Sequence, residues 1–230
     1  MNEKEIADKR LHSSCQWISF AEREDWLELR KQGIGGSDVA GIFNESPFSD
    51  RRKVWLSKQK DFKPEELSNS AINFGNNMEV LIFNIFKYKY NAIYETLDYK
   101  NILFRNYFTD FFQASVDGIL VKRNTKEVGI LEIKTVQPSA IHNWYDAKGK
   151  PITPKYYMYQ VLHYLNTLDL DFIVIYVLAN TENEDTSMRF LQPRIYERKK
   201  LTKELEKVSA ECVDFWLNYV LKGKEPGIKL

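Results

Sequence analysis

Asp117, Glu132 and Lys134 are the residues whose types and spacing could do chemistry in this chain. Glu132 and Lys134 stand two apart in the run G-I-L-E-I-K, inside an apolar stretch that reads as a β-strand from Val128 to Val136. Residues two apart share a strand face, so the carboxylate and the ammonium project together while Leu131 and Ile133 point the other way. A strand this apolar belongs in the middle of a sheet, and charges there need a reason. A preceding strand, Ala114 to Lys122, joined by a turn near Asn124-Thr125-Lys126, completes a hairpin and supplies a second carboxylate, Asp117. The hairpin brings Asp117 and Glu132 towards one end of a sheet, where two carboxylates repel unless a cation lies between them. Oxygen-only ligands favour Mg²⁺ or Mn²⁺, and Mg²⁺ takes only one or two carboxylates, leaving its other positions to water and phosphate. Lys134 then orients a water or steadies negative charge on phosphorus. That is an arrangement for metal-assisted hydrolysis of a phosphodiester. Taken alone, E-x-K is usually a solvated cross-strand pair, and Asp117-Gly118 reads equally as a simple turn.

The elements around this hairpin must position it. Ser19 followed by Glu22 matches a capping box and opens a helix through about Lys31, which sets Arg30 beside Trp26 and Leu27 near a helix C-terminus. There Arg30 reads as a snorkelling arginine at a favourable helix end. In G-I-G-G-S-D-V-A-G-I-F, the glycines 33, 35 and 36 make a tight turn and Ser37 is the expected N-cap of a short helix from Asp38 to Phe43. Backbone N–H groups at such a turn can hold an anion, although the spacing alone favours an ordinary capped turn. A basic helix follows from about Asp50 to Lys60, with Val54 and Trp55 inward and Arg51, Arg52, Lys53, Lys58 and Lys60 read as a solvated face or as DNA contacts. A long helix over Ala71 to Tyr90 carries an apolar stripe of Phe74, Ile82, Phe83, Phe86 and Tyr90, and Glu79 falls inside it. A carboxylate there needs a partner, either an arginine or a metal shell. Strands near Ile102–Phe108 and Phe111–Val121 lead into the hairpin. After it come a helix over Pro138 to Ala147, a Lys-rich loop, and an amphipathic helix from Tyr156 to Leu168 that carries Gln160 and His163. His142 and His163 read as polar contacts, because no metal-ligand spacing accompanies them. Asp171 to Leu178 is a buried strand, Met188 to Tyr196 an edge strand broken by Pro193, and residues 198–221 a closing helix.

Composition limits the choices. The 230 residues fit one domain, 1–230, with a partly flexible polar segment at 1–18 and the 198–221 helix packed on the core. Hydrophobic content of 43% is ample for a core, and a net charge of +1 leaves any nucleic-acid surface to local clustering. Cys15 and Cys212 read as free thiols in a reducing cytosol. No signal peptide or membrane span is read, so a cytoplasmic protein is expected.

Five blocks in order carry a family resemblance: L-R-K-Q-G-I-G-G-S-D-V-A-G-I-F-N-E-S-P-F, F-G-N-N-M-E, A-S-V-D-G-I, G-I-L-E-I-K-T and Y-Y-M-Y-Q-V-L-H-Y-L. Together, over about residues 26 to 178, the chain resembles the YqaJ-type viral recombinases, which belong with lambda exonuclease in the PD-(D/E)xK nuclease superfamily. The proline of that motif is absent, since Val116 precedes Asp117. The resemblance implies an α/β restriction-endonuclease-like core, a central mixed β-sheet flanked by helices. It implies Asp117 and Glu132 as metal ligands with the Ile133 carbonyl as a third, Lys134 as the catalytic lysine, and Glu79 as the helix glutamate that joins or orients the metal shell. It places Gln160 near the scissile phosphate and makes Arg30 and Ser37 the pocket for a 5′-terminal phosphate.

What the resemblance implies for function is a Mg²⁺-dependent 5′→3′ exonuclease of phage or prophage origin acting in a bacterial cytoplasm. It would use two metal ions per site, with Mn²⁺ as a substitute, and degrade one strand of linear double-stranded DNA to leave 3′ overhangs for recombination. It further implies a homotrimeric ring and a single-strand annealing protein as partner. The C-terminal 50 residues carry little of the family pattern. The competing expectations are an endonuclease or single-strand nuclease on the same centre, and a DNA-end-binding module with a decayed centre. The presence of Asp117, Glu132, Lys134 and Glu79 together weighs against decay.

Overall fold

The computed structural model describes residues 1–63, 70–180 and 188–227, with the side chains of 70–74 and 76 excepted. Phe74, expected in the stripe of the long helix, lies outside the described side chains. Two sheets organise the chain. The larger is mixed, in the order β2 (Tyr94–Leu97), β5 (Gly118–Lys122), β6 (Val128–Val136), β7 (Phe172–Asn180) and β8 (Met188–Phe190), with β9 (Arg194–Glu197) also on β7. β6 is antiparallel to β5 and parallel to β7. A parallel neighbour needs a crossover, and α6 (Lys155–Leu168) supplies it. The smaller sheet is antiparallel, in the order β1 (Cys15–Ser19), β3 (Ile102–Asn106), β4 (Gln113–Ala114).

Alternation along β6 divides the core. Val128, Ile130 and Val136 face a cluster that includes Leu162 and Leu165 of α6, while Leu131 and Ile133 face Ile82 and Phe86 of α5 (Ser70–Lys89). Helices therefore cover both faces of the central strands, as a near-continuous apolar run requires. Glu132 and Lys134 lie on the α6 side. The mixed, helix-flanked sheet expected from the sequence is the observed architecture.

Several elements differ from expectation. Residues 1–18, read as a loose polar segment, form α1 (Glu3–Ser14) and β1. Asn2 and Glu5 exchange N–H to side-chain oxygen bonds of 2.9 Å each, and Ala7 and Leu11 are fully buried. The apolar stripe is only Ile6, Ala7 and Leu11, which is why composition hides it. Ser19 closes β1 instead of capping a helix; Glu22 caps α2 (Arg23–Lys31). Ser37 is not an N-cap, because α3 (Gly36–Ile42) begins two residues earlier than expected, with Gly35 in the capping position. The basic helix is the shorter α4 (Arg51–Ser57), and its Arg51 and the following Lys58 are buried, not solvated. The stretch read as one strand over Phe111–Val121 is two, β4 in one sheet and β5 in the other. Residues 138–144 form a 3₁₀-helix, and the 188–196 strand breaks at Pro193 into β8 and β9 because Pro lacks a ladder donor. The closing helix divides into a turn at Arg198–Lys200, α7 (Thr202–Phe215) and a widened turn at Trp216–Val220.

Candidate active site

The site begins where β5 and β6 part. Their pairing runs from Val121 opposite Val128 to Gly118 opposite Leu131 and stops there, while β6 continues beside β7 as far as Val136. Beyond Leu131 the β6 backbone has lost its neighbour on the β5 side. Asp117, the residue before β5, fills the gap: its Oδ2 accepts the Ile133 N–H at 2.6 Å. An extended residue directs its C=O to the same side as its N–H, so the Ile133 carbonyl also faces the opening beside Asp117.

Glu132 is 3% exposed. Its Oε1 accepts from Lys134 Nζ at 2.5 Å and from Gln160 Nε2 at 2.7 Å. Its Oε2 is buried and has no partner among the described residues. A lone buried carboxylate oxygen costs free energy unless something positive meets it. Lys134 also lies 4.9 Å from the Tyr157 ring centre, and Gln160 Nε2 donates to the Tyr164 hydroxyl at 3.1 Å. Gln160, Tyr157 and Tyr164 all come from α6, so the crossover helix that makes β6 and β7 parallel also fixes the carboxylate on β6.

The electrostatics agree with the geometry. Asp117 is raised well above the ordinary carboxylate value, first by burial and then by the charges of Glu132 and Glu79, against the opposing pull of Lys134 and the Ile133 N–H. Burial acts against the Lys134 ammonium, yet Glu132 and Asp117 outweigh it and the group stays cationic well above its ordinary range. Glu79, on α5, is raised by burial and by Glu132 and Asp98, with Lys100 and Lys134 opposing. Glu79, Asp117 and Lys100 line one cleft of about 450 Å³ together with Phe20, Arg23 and Trp26.

These residues fit a hard divalent cation. The fit rests on the unpartnered Glu132 Oε2, the Asp117 carboxylate, whose charge burial and Glu132 disfavour, and the Ile133 carbonyl, an all-oxygen donor set. No three His, Cys, Asp or Glu side chains are grouped as a metal cage among the described residues. A site of two carboxylates that leaves room for water and phosphate suits Mg²⁺ better than a closed cage would.

A second constellation lies at the start of α3. Arg30 Nη2 donates to Ser37 Oγ at 3.0 Å and to Asp38 Oδ1 at 2.7 Å. Its guanidinium lies 5.1 Å from the Trp26 ring centre, and its Nε has no partner among the described residues. Gly35 leaves room for this placement of the guanidinium, since a Cβ on it would sit 2.8 Å from Arg30 Cζ. The structure therefore brings Arg30 and Ser37 together, as expected. Gly36 in turn lets α3 approach α6, since a Cβ there would lie 2.5 Å from Tyr164 Cε1 and 2.8 Å from Gln160 Cγ. The arginine pocket and the Glu132 carboxylate are thus joined through two side chains of α6.

Asp38 and Lys58 are the members sequence reasoning passed over. Asp38 Oδ2 accepts from Lys58 Nζ at 2.7 Å and from the Gly35 N–H at 2.8 Å, and Lys58 also donates to the Arg30 carbonyl at 3.1 Å. Burial pushes the Asp38 carboxyl up, but Arg30 and Lys58 outweigh it and hold the group at about 2. Burial pulls Lys58 down to about 8, with Asp38 opposing and Arg30 adding to the fall. The signal was the helical spacing Arg51, Val54, Lys58, which puts two cations on the face of a buried valine. His163 is a buried structural contact: its Nε2 faces the Ile34 and Gln113 carbonyls at 2.9 and 3.1 Å and so carries the proton.

Comparison with known proteins bears on the family and the fold. Residues 25–171 match the family model described as the YqaJ-like viral recombinase domain. A curated relative, the uncharacterised protein YqaJ of Bacillus subtilis (strain 168), is 26% identical over 210 residues, which are 91% of this chain and 60% of the relative. The chain thus spans about 60% of that relative's length. Two crystal structures of LHK-Exo, an alkaline exonuclease from Laribacter hongkongensis, share the fold at 18% identity, over 87% of this chain and 97% of theirs. Their TM-scores are 0.58, for the complex with dAMP, and 0.54.

Proposed function

The chain belongs to the YqaJ-like viral recombinase domain family, and on that footing we propose that it is a metal-dependent 5′→3′ exonuclease that degrades one strand of linear double-stranded DNA. The observation that carries the reading is Glu132: a buried carboxylate with one oxygen held by Lys134 and Gln160 and the other bare, beside a second carboxylate that burial and repulsion disfavour. In this proposal Asp117, Glu132 and the Ile133 carbonyl hold Mg²⁺, in a pair of ions, with Mn²⁺ as a substitute. Glu79 completes or orients the shell from across the cleft. The ions would supply polarisation of the phosphoryl oxygens and a water activated at neutral pH.

The chain's own groups do the rest. Gln160 fixes the rotamer of Glu132, so its free oxygen is presented without reorganisation. Lys134, kept cationic by two carboxylates, places fixed positive charge where negative charge grows at phosphorus. Arg30 and Ser37 take the 5′-terminal phosphate, which carries more charge than an internal diester and accepts charge-assisted bonds well. Holding that phosphate sets the strand's register, so that the next phosphodiester meets Lys134 and the carboxylates. On the same family footing, the active form is a homotrimeric ring working with a single-strand annealing protein in a bacterial cytoplasm, leaving 3′ overhangs.

The direct test digests linear duplex labelled at the 5′ or the 3′ end, with and without Mg²⁺. The proposal expects early release of the 5′ label, only with Mg²⁺, and no cutting of circular duplex. Early 3′ release, or nicking of circles at a comparable rate, would overturn it.

A further inference from the structure

We propose that Lys58 is a positioning residue that gives the Arg30 pocket its net positive charge, and with it the preference for a phosphorylated 5′ end. The inference rests on the exonuclease reading above and concerns residues that reading leaves out.

The difficulty lies in the pocket as first drawn. An arginine that is to grip a phosphate should not already be neutralised, yet Arg30 is bonded to the Asp38 carboxylate at 2.7 Å. An Arg30–Asp38 pair alone has no net charge, and a dianionic phosphate would approach a carboxylate across it. Lys58 changes this. Its side chain is 2% exposed, and it gives Asp38 a second cation at 2.7 Å, on the oxygen that Arg30 does not use. Two cations around one carboxylate leave the cluster at +1.

Burying an ammonium is costly, and the fold offers Lys58 a single carboxylate in return. A leucine-like residue would serve packing alone. Three details point to a charge left deliberately in excess. Arg30 keeps a buried Nε without a partner among the described residues. The Gly35 N–H is turned to Asp38 Oδ2, so that oxygen is fully engaged and held away from an incoming anion. Lys58 also donates to the Arg30 carbonyl at 3.1 Å, which fixes the end of α2 from which the guanidinium springs. Lys58 itself touches no substrate in this account; it acts through Asp38 and Arg30.

The experiment compares digestion of 5′-phosphorylated and 5′-hydroxyl linear duplex in Mg²⁺ by wild type, Lys58→Met, and the double variant Lys58→Met with Asp38→Asn. The readout is the ratio of the two rates. Wild type should favour the phosphorylated end strongly. In Lys58→Met the cluster is neutral, and the ratio should fall by roughly ten- to hundred-fold, the worth of a charge-assisted contact. The double variant restores a net charge of +1 and should recover most of the ratio. If Lys58→Met does not fold, Lys58→Gln, which removes the charge but keeps a donor for Asp38, replaces it: a ratio well below wild type supports the inference and an unchanged ratio overturns it. A wild-type ratio preserved in Lys58→Met, or a collapse that the double variant does not relieve, overturns the charge role while the exonuclease reading stands. A wild type with no preference for the phosphorylated end overturns the phosphate pocket, and this inference falls with it.

Discussion

Lys134 shows how much of the proposed chemistry hangs on single side chains. Its ammonium is held 2.5 Å from Glu132 and is flanked by Asp117, so it is a fixed charge and not a mobile one. Replacing it with alanine should lower turnover by about 10²–10³ while leaving metal and DNA binding close to wild type, because a pre-organised charge of this kind acts on the transition state. Single-turnover rates at saturating DNA would show this, and a rate within a few-fold of wild type would remove Lys134 from the mechanism. Arg30→Ala makes a different claim. It should shrink the ratio of 5′-phosphorylated to 5′-hydroxyl digestion towards one, a loss of about 1.5–3 kcal/mol, whereas an arginine that only packs would slow both ends alike. At this scale the sequence was informative for Asp117, Glu132, Lys134, Arg30, Ser37 and Gln160, all of which sit in the two joined constellations. It was uninformative for Asp38 and Lys58. A lysine on a short basic helix looks solvated until its partner is known, and here the partner lies twenty residues upstream.

Glycine 36 marks the tightest constraint between elements. α3 and α6 approach so closely there that an added methyl would overlap Tyr164 and Gln160. Gly36→Ala should therefore cost about 1–3 kcal/mol of stability and also lower activity, since it moves the side chain that pins Glu132. A melting temperature and turnover both unchanged would contradict that coupling. Between α6 and the loop–strand junction, His163 is buried neutral, and burial depresses it to about 4 against two carbonyl contacts that resist the fall. The unfolded imidazole titrates near 6.5, so the unfolded chain binds the extra proton first. Stability from this group is complete above about pH 6.5 and falls as pH drops to about 4, by at most about 3 kcal/mol. Melting of His163→Gln, which keeps a donor, should depend less on pH across that window; an equal dependence would refute the assignment. The central elements were legible because their apolar runs are long: β6 has the expected bounds, and α5 and α6 begin and end within a residue of expectation. β1 and β2 were not, being short strands whose partners lie far along the chain, at Ile102–Asn106 and Gly118–Lys122.

At the scale of the whole molecule, β5 and β6 of the larger, mixed sheet part at one end, and a helix on each face brings a polar side chain to that opening: Glu79 from α5 and Gln160 from α6. Fold class was legible through the family resemblance, but the second, smaller sheet was not, since nothing in Phe111–Val121 announces that its two halves join different sheets. Among the described residues, no helix is long and apolar enough to cross a membrane. The central claim is that Asp117 and Glu132 form one hydrolytic metal centre. It is tested most directly by nucleotide release from 5′-phosphorylated linear duplex, with Mg²⁺ and with Ca²⁺, by wild type, Asp117→Ala and Glu132→Ala. Folding is checked by melting in EDTA: Asp117→Ala, which relieves the repulsion with Glu132, should stay close to wild type, whereas Glu132→Ala, which leaves the Lys134 ammonium and Gln160 without their acceptor, should melt lower but still as a folded protein. The account predicts release by wild type in Mg²⁺ only, since Ca²⁺ is larger and holds its oxygens too loosely for in-line attack, and none by either folded variant. Substantial Mg²⁺-dependent release by Asp117→Ala or Glu132→Ala would contradict it.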